Sequence, residues 1–82
     1  MGDSFDLIEG LSRIESAAKI CFDNGHTKPA DKIRRIESFI EKLHTYLTPH
    51  YFVFHNDVRK SLIVLRGYKE QLRVKDALEN IC

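Results

Sequence analysis

Residues 29–47 read PADKIRRIESFIEKLHTYL, and their spacing decides the fold class. Ile33, Ile36, Ile40, Leu43 and Leu47 recur at intervals of three, four, three and four, the period that places side chains on one face of an α-helix. Phe39 and Tyr46 broaden that stripe, while Lys32, Arg34, Glu37, Glu41 and Lys42 fall mainly on the other faces. Ile36 and Leu43 are therefore expected at the centre of a core. Lys32 is expected on a solvated surface, where replacement by alanine costs almost nothing. Pro29 suits a first helical turn, Thr27 is the expected cap before it, and Asp31 complements the positive end of the helix dipole. Thr48-Pro49 stops the segment, because the residue before a proline is pushed out of helical geometry.

Toward the N-terminus, Leu7, Leu11, Ile14, Ala18 and Cys21 repeat the same alternation of four and three, with Ile8, Ala17 and Phe22 widening the stripe. This predicts a helix from about Ser4 to Phe22, capped by Asp3 or Ser4, with Glu15 and Lys19 spaced to pair across one turn. Gly10 weakens it by roughly 1 kcal/mol relative to alanine, unless a neighbour must approach closely there. Asp23-Asn24-Gly25 ends the helix, since Asn and Gly tolerate the left-handed backbone of many helix termini. Arg13-Ile14-Glu15-Ser16 recurs as Arg35-Ile36-Glu37-Ser38. With two copies only, this reflects two similar amphipathic patterns and not a repeat family, and its practical content is a helical hairpin. With its small residues, Asn-Gly break and heptad stripe, the stretch from Leu11 to Leu47 resembles many helical adaptor and tethering subunits. That likeness implies helix packing and transfers no functional residue.

Toward the C-terminus, residues 50–66 admit two readings. Tyr51, Phe54, Val58, Leu62 and Leu65 fit a helical stripe; Tyr51 to His55 and Leu62 to Leu65 are also short β-favouring runs that Asn56-Asp57 would join as a hairpin. Helix is preferred, because the helical spacing explains five apolar positions at once and Val58 to Ser61 contain no turn-forming glycine. The additional Val53, Ile63 and Val64 then imply a helix covered on more than one side. Gly67 is expected to break or kink this element, with Leu72, Val74, Ala77, Leu78 and Ile81 forming a short final helix. The predicted fold is all-α: a small antiparallel helical bundle of three to four helices in a single domain, residues 1–82. The alternative is α+β, a helical hairpin followed by a β-hairpin.

Composition narrows the function classes. In 82 residues, 43% are hydrophobic and 30% charged, which suits a folded domain. So short a chain buries only about 60–65% of its unfolded surface, which favours association. No apolar run reaches membrane-spanning length and the first residues carry acid where a secretory signal carries base, so an intracellular protein, cytoplasmic or nuclear and with no membrane role, is expected. The formal net charge of +1 is unevenly spread. Residues 1–23 hold five acids and two bases (−3), and residues 24–82 hold 11 bases and seven acids (+4).

Chemistry is sparsely signalled. Cys21-x4-His26 and His50-x4-His55 supply four metal-ligand types, but a 19-residue helix of roughly 28 Å would separate the pairs, so no metal is predicted. Cys21 and Ser61 are the conceivable nucleophiles, yet Cys21 lies on an apolar stripe, Cys82 is terminal, and no nucleophile elbow, phosphate loop or carboxylate pair is present. No enzyme activity and no cofactor are expected. His55, Asn56, Arg59 and Lys60, followed by Arg66, Lys69, Arg73 and Lys75, raise nucleic-acid binding as a rival, weakened by the near-neutral charge.

The surplus of large apolar residues, Phe5, Phe22, Phe39, Tyr46, Phe52, Val53, Ile63 and Val64, exceeds what one narrow stripe per helix requires. The expected function is a protein–protein interaction module, or a small adaptor or regulatory subunit, that binds a partner helix or a second copy as a homodimer. Its expected contact residues are Phe52, Val53, Arg59, Lys60, Ile63, Val64 and Arg66.

Overall fold

The computed structural model describes the backbone of residues 3–81 and the side chains of residues 7–79, which leaves Phe5, Ile81 and Cys82 outside the described side chains. Three α-helices follow one another: α1, Asp3–Asp23; α2, Pro29–His44; and α3, His55–Ile81, with a 3₁₀ segment, Pro49–Phe54, leading into α3. No strand occurs among the described residues. The β-hairpin alternative is thereby overturned. Asn56-Asp57 does not turn a hairpin but lies in the first turn of α3, where the Asp57 carboxylate suits the positive helix end.

The predicted stripes form the core. Leu7, Leu11 and Ala18 of α1, Ile36 and Leu43 of α2, and Val58, Leu62, Leu65 and Leu72 of α3 make one buried cluster. Ile14, Phe22, Ile33, Phe39, Ile40, Tyr46, Leu47, Tyr51, Phe54 and Tyr68 pack around it. Three members of the apolar surplus, Phe22, Phe39 and Tyr46, are therefore used internally. All three helices touch one another, α2 and α3 most extensively. Along α1 and α2 the contacts run in opposite order: Phe22 meets Lys32, and Gly10 meets Tyr46. Along α1 and α3 they run in the same order, with Glu15 on Ser61 and Phe22 stacked on Tyr68 at 4.6 Å. The molecule is elongated, 52 × 20 × 14 Å.

Two junctions differ from their sequence reading. Thr27 does not cap α2; the cap position is Lys28, with no side-chain cap bond. Instead the Asn24 side chain accepts from the backbone amides of His26 and Thr27, at 2.6 and 3.2 Å, and turns the chain by itself. No described glycine or other residue has positive φ, so the left-handed terminus expected at Asn24-Gly25 is not used. At the far end, α2 tightens before it stops: the amides of Tyr46 and Leu47 bond to carbonyls three residues back, after which Thr48 is extended ahead of Pro49. His55 Nε2 donates to the Thr48 carbonyl at 2.8 Å and ties the start of α3 across the 3₁₀ segment.

Lys32 overturns its assignment to a solvated face. It is 4% exposed, and its Nζ donates to the Phe22 carbonyl at 2.9 Å, in the last turn of α1. That turn carries no basic residue of its own, so Lys32 supplies from α2 the cation that the negative helix end favours. Gly67 likewise does not break α3, which runs through it as one 27-residue helix, so the separate fourth helix is absent. The cost of an interior glycine, about 1 kcal/mol, is outweighed by Leu65 and Leu72, both buried, and by the Tyr68 stack. Gly10 faces the Tyr46 hydroxyl, 3.4 Å from where a Cβ would stand, the close neighbour its position called for.

Candidate functional site

α3 carries apolar residues on two opposite faces. At about 100° per residue, Val58, Leu62, Leu65 and Leu72 share the inner face, and Ile63, Gly67, Val74 and Leu78 lie about 140–180° from Leu65 on the outer one. The outer residues are uncovered: Ile63 is 68% exposed, Val74 53% and Leu78 61%. Val64, 40% exposed, borders the same face. Beyond Leu72 the inner positions turn polar, with Asp76 and Glu79, and the large apolar residues among those described continue on the outer face alone. Around Val74 and Leu78, the side chains of Glu70, Gln71 and Lys75 border a shallow, chiefly apolar depression.

The seven residues expected to bind a partner are all exposed, but the structure does not join them into one patch. Arg59, Ile63 and Arg66 line a groove between α2 and α3 with His44, Leu47 and Leu62. Lys60 faces a different groove, between α1 and α3, formed with Ile8, Leu11, Ser12, Glu15, Asp57 and Ser61. Phe52 and Val53 stand apart on the 3₁₀ segment, Phe52 with its ring edge-on to His55 at 5.6 Å. His44, Leu47 and Leu62 went unnoticed as groove residues because two of them belong to core stripes. Val74 and Leu78 went unnoticed because a break at Gly67 would have reset the helical phase after it.

Electrostatically the outer half of α3 is basic. Arg59, Lys60, Arg66, Arg73 and Lys75 flank it against Asp57 and Glu70, and Glu70 already lies 3.7 Å from Arg73. Among the described residues Arg59 and Arg66 have no ion-pair partner, whereas Lys69, nearer the core, pairs with Glu37 at 3.0 Å.

The chemically richest contact is the α1–α3 groove of about 340 Å³, where Ser61 Oγ donates to Glu15 Oε1 at 2.6 Å. Glu15 thus turns to α3 instead of to Lys19. The bond commits the Ser61 proton directly to a carboxylate with no imidazole between them. Both residues lie within helices, where backbone amides are consumed by the helix and none is left to stabilise an oxyanion. The arrangement is a polar lock between helices. Cys21 is a buried free thiol on the core stripe, and no group of three or more His, Cys, Asp or Glu converges among the described residues. No helix there is long and apolar enough to cross a membrane. Comparison with family models, with curated proteins and with solved structures finds no match for this chain.

Proposed function

We propose that the chain is a non-catalytic protein–protein interaction module, an adaptor or regulatory subunit built as a three-helix antiparallel bundle and docking a partner helix on the outer face of α3. One observation carries the reading: Ile63, Val74 and Leu78 form an uncovered apolar stripe diametrically opposite the buried stripe of the same helix. Exposed apolar residues scattered singly need no explanation, but Ile63 and the Val74–Leu78 pair lie on one outer face of one helix in a small fold, which supports a docking face there.

A photo-crosslinking residue at position 74, compared with one at the exposed Arg35 of α2, tests this in cell extract. A discrete protein adduct at 74 and none at 35 is the expected result. Identical adduct patterns at both positions, or none at 74, would remove the interaction reading.

A second reading, nucleic-acid binding, is favoured by the cluster of Arg59, Lys60 and Arg66 on exposed positions of α3. It predicts duplex binding that weakens steeply with salt as condensed counterions are released. The interleaved Ile63 and Val64, together with a net charge of only +1, weigh against it.

A further inference from the structure

Resting on the outer face of α3 as an interface, we infer that its occupant is an amphipathic helix with acidic flanks, seated with a large apolar residue over Gly67. The outer face carries Ile63, Gly67, Val74 and Leu78, interrupted between Gly67 and Val74 by Glu70 and Gln71, with Arg59, Arg66 and Arg73 on one side and Lys60 and Lys75, beside Asp57, on the other, five bases against two acids. A partner helix laid along that face sets its own flanking residues against these bases, and only acids there turn the contact attractive.

A second copy fits poorly. Antiparallel pairing of two α3 outer faces about a two-fold axis sets Arg59, Arg66 and Arg73 of one chain along the same flank as those of the other, with Glu70 the one acid among them. Nor is the acidic α1 free to serve as the occupant, since Glu9 is held by Arg13 at 2.6 Å and Glu15 by Ser61 at 2.6 Å. A nucleic-acid backbone would leave the outer apolar residues facing phosphate and sugar.

Gly67 adds a shape argument. A Cβ built there meets nothing within 4 Å, so neither packing nor backbone geometry within the chain requires glycine at this place in the helix. One turn after Ile63, and ahead of Glu70 and Gln71, it leaves a notch on the outer face into which a leucine or phenylalanine of a facing helix fits as a knob.

The test uses the full chain and two synthetic helical peptides of about 22 residues, with the same leucine stripe, one flanked by glutamates and the other by lysines. Fluorescence anisotropy should show the acidic peptide binding about tenfold or more tightly at low salt, with the difference shrinking as salt screens the flanks. Val74→Asp with Leu78→Asp should abolish binding of the acidic peptide while circular dichroism and the melting temperature stay unchanged, since both residues are exposed. Arg59→Glu with Arg66→Glu should reverse the preference toward the lysine peptide. Gly67→Ala should raise the melting temperature and yet weaken binding severalfold, a split that a purely structural glycine does not produce.

Equal binding of both peptides would overturn the acidic partner and leave the interaction module standing. So would a concentration-dependent doubling of mass that Val74→Asp abolishes, which assigns the face to a second copy. Tighter binding of a DNA duplex or of anionic vesicles than of the acidic peptide would overturn it in favour of those surfaces. Absence of binding by either peptide at about 1 mM, where affinity is only about −4 kcal/mol, would also overturn it, and the crosslink at position 74 then decides whether the interaction reading falls as well.

Discussion

α2 and α3 are packed against each other and divide their apolar residues differently. α2 is one-sided: Ile36 and Leu43 are fully buried, Ile33, Phe39 and Ile40 are partly so, and the rest of the helix is chiefly charged or polar. Its amphipathicity is accounted for by the core it helps build. α3 buries Val58, Leu62, Leu65 and Leu72 just as well, and then carries further apolar residues, Ile63, Val74 and Leu78, on the reverse side, where they are exposed. A one-faced helix is explained by its own fold, whereas a two-faced one needs a second surface.

The largest expected effect sets the two faces of α3 against each other at neighbouring positions. Leu65→Ala should cost about 2–5 kcal/mol, by lost transfer energy and the cavity left behind, enough to unfold most of so small a domain. Ile63→Ala should change the urea midpoint by no more than about 0.5 kcal/mol in equivalent stability. Comparable losses at both sites would erase the distinction between an inner and an outer face.

A middle-sized effect probes whether α2 is as simple as its stripe implies. Lys32→Met keeps the aliphatic stem and removes the ammonium that the Phe22 carbonyl accepts from, and should cost about 1.5–3 kcal/mol, the range of a charge-assisted bond. Denaturant titration beside the exposed control Lys42→Met would show it. Matching midpoints for the two variants would mean that the α1 terminus does not depend on α2 for its cation.

The smallest effect has the opposite sign. Gly67→Ala should stabilise the protein by about 1 kcal/mol, because alanine favours the helix and its methyl group enters open space. A loss of stability in calorimetry would indicate that α3 needs a weak point there for its own folding.

Much of the fold was legible because local period and burial agree. Ile36, Leu43, Val58, Leu62 and Leu65 were placed by spacing alone and are all core residues. What was misread depends on contacts between distant residues. Nothing local marks Lys32 as buried, since its partner is a backbone carbonyl ten residues away across a turn. Nothing local lets α3 run through Gly67; that depends on α1 and α2 holding Leu65, Tyr68 and Leu72 on either side of the weak point. The hairpin alternative arose from β-favouring residues that tertiary packing overrode. The candidate site was half legible: Ile63 and Val64 were noticed as surplus, but their continuation into Val74 and Leu78 becomes visible only once the helix is known to be unbroken.

The Ser61–Glu15 bond joins residues 46 positions apart, whereas the α2–α3 junction is closed by His55 and Thr48, only seven apart. Both junctions, residues 24–28 and 45–54, are short, so loop closure does not rank them. The extent of contact does: α2 and α3 share the larger interface, and α1 is held by the smaller ones, so α2 and α3 form the more persistent pair and α1 docks onto it. The same order reversed governs opening: α1 is the cooperative unit that detaches at the lowest free energy. Native-state hydrogen exchange should accordingly find the amides around Leu11 to Ala18 opening at lower denaturant than those around Leu43 and Leu65, with simultaneous opening of all three helices the contrary result. The Lys32 ammonium, leaving the Phe22 carbonyl as α1 departs, would then be the latch on the first element to move.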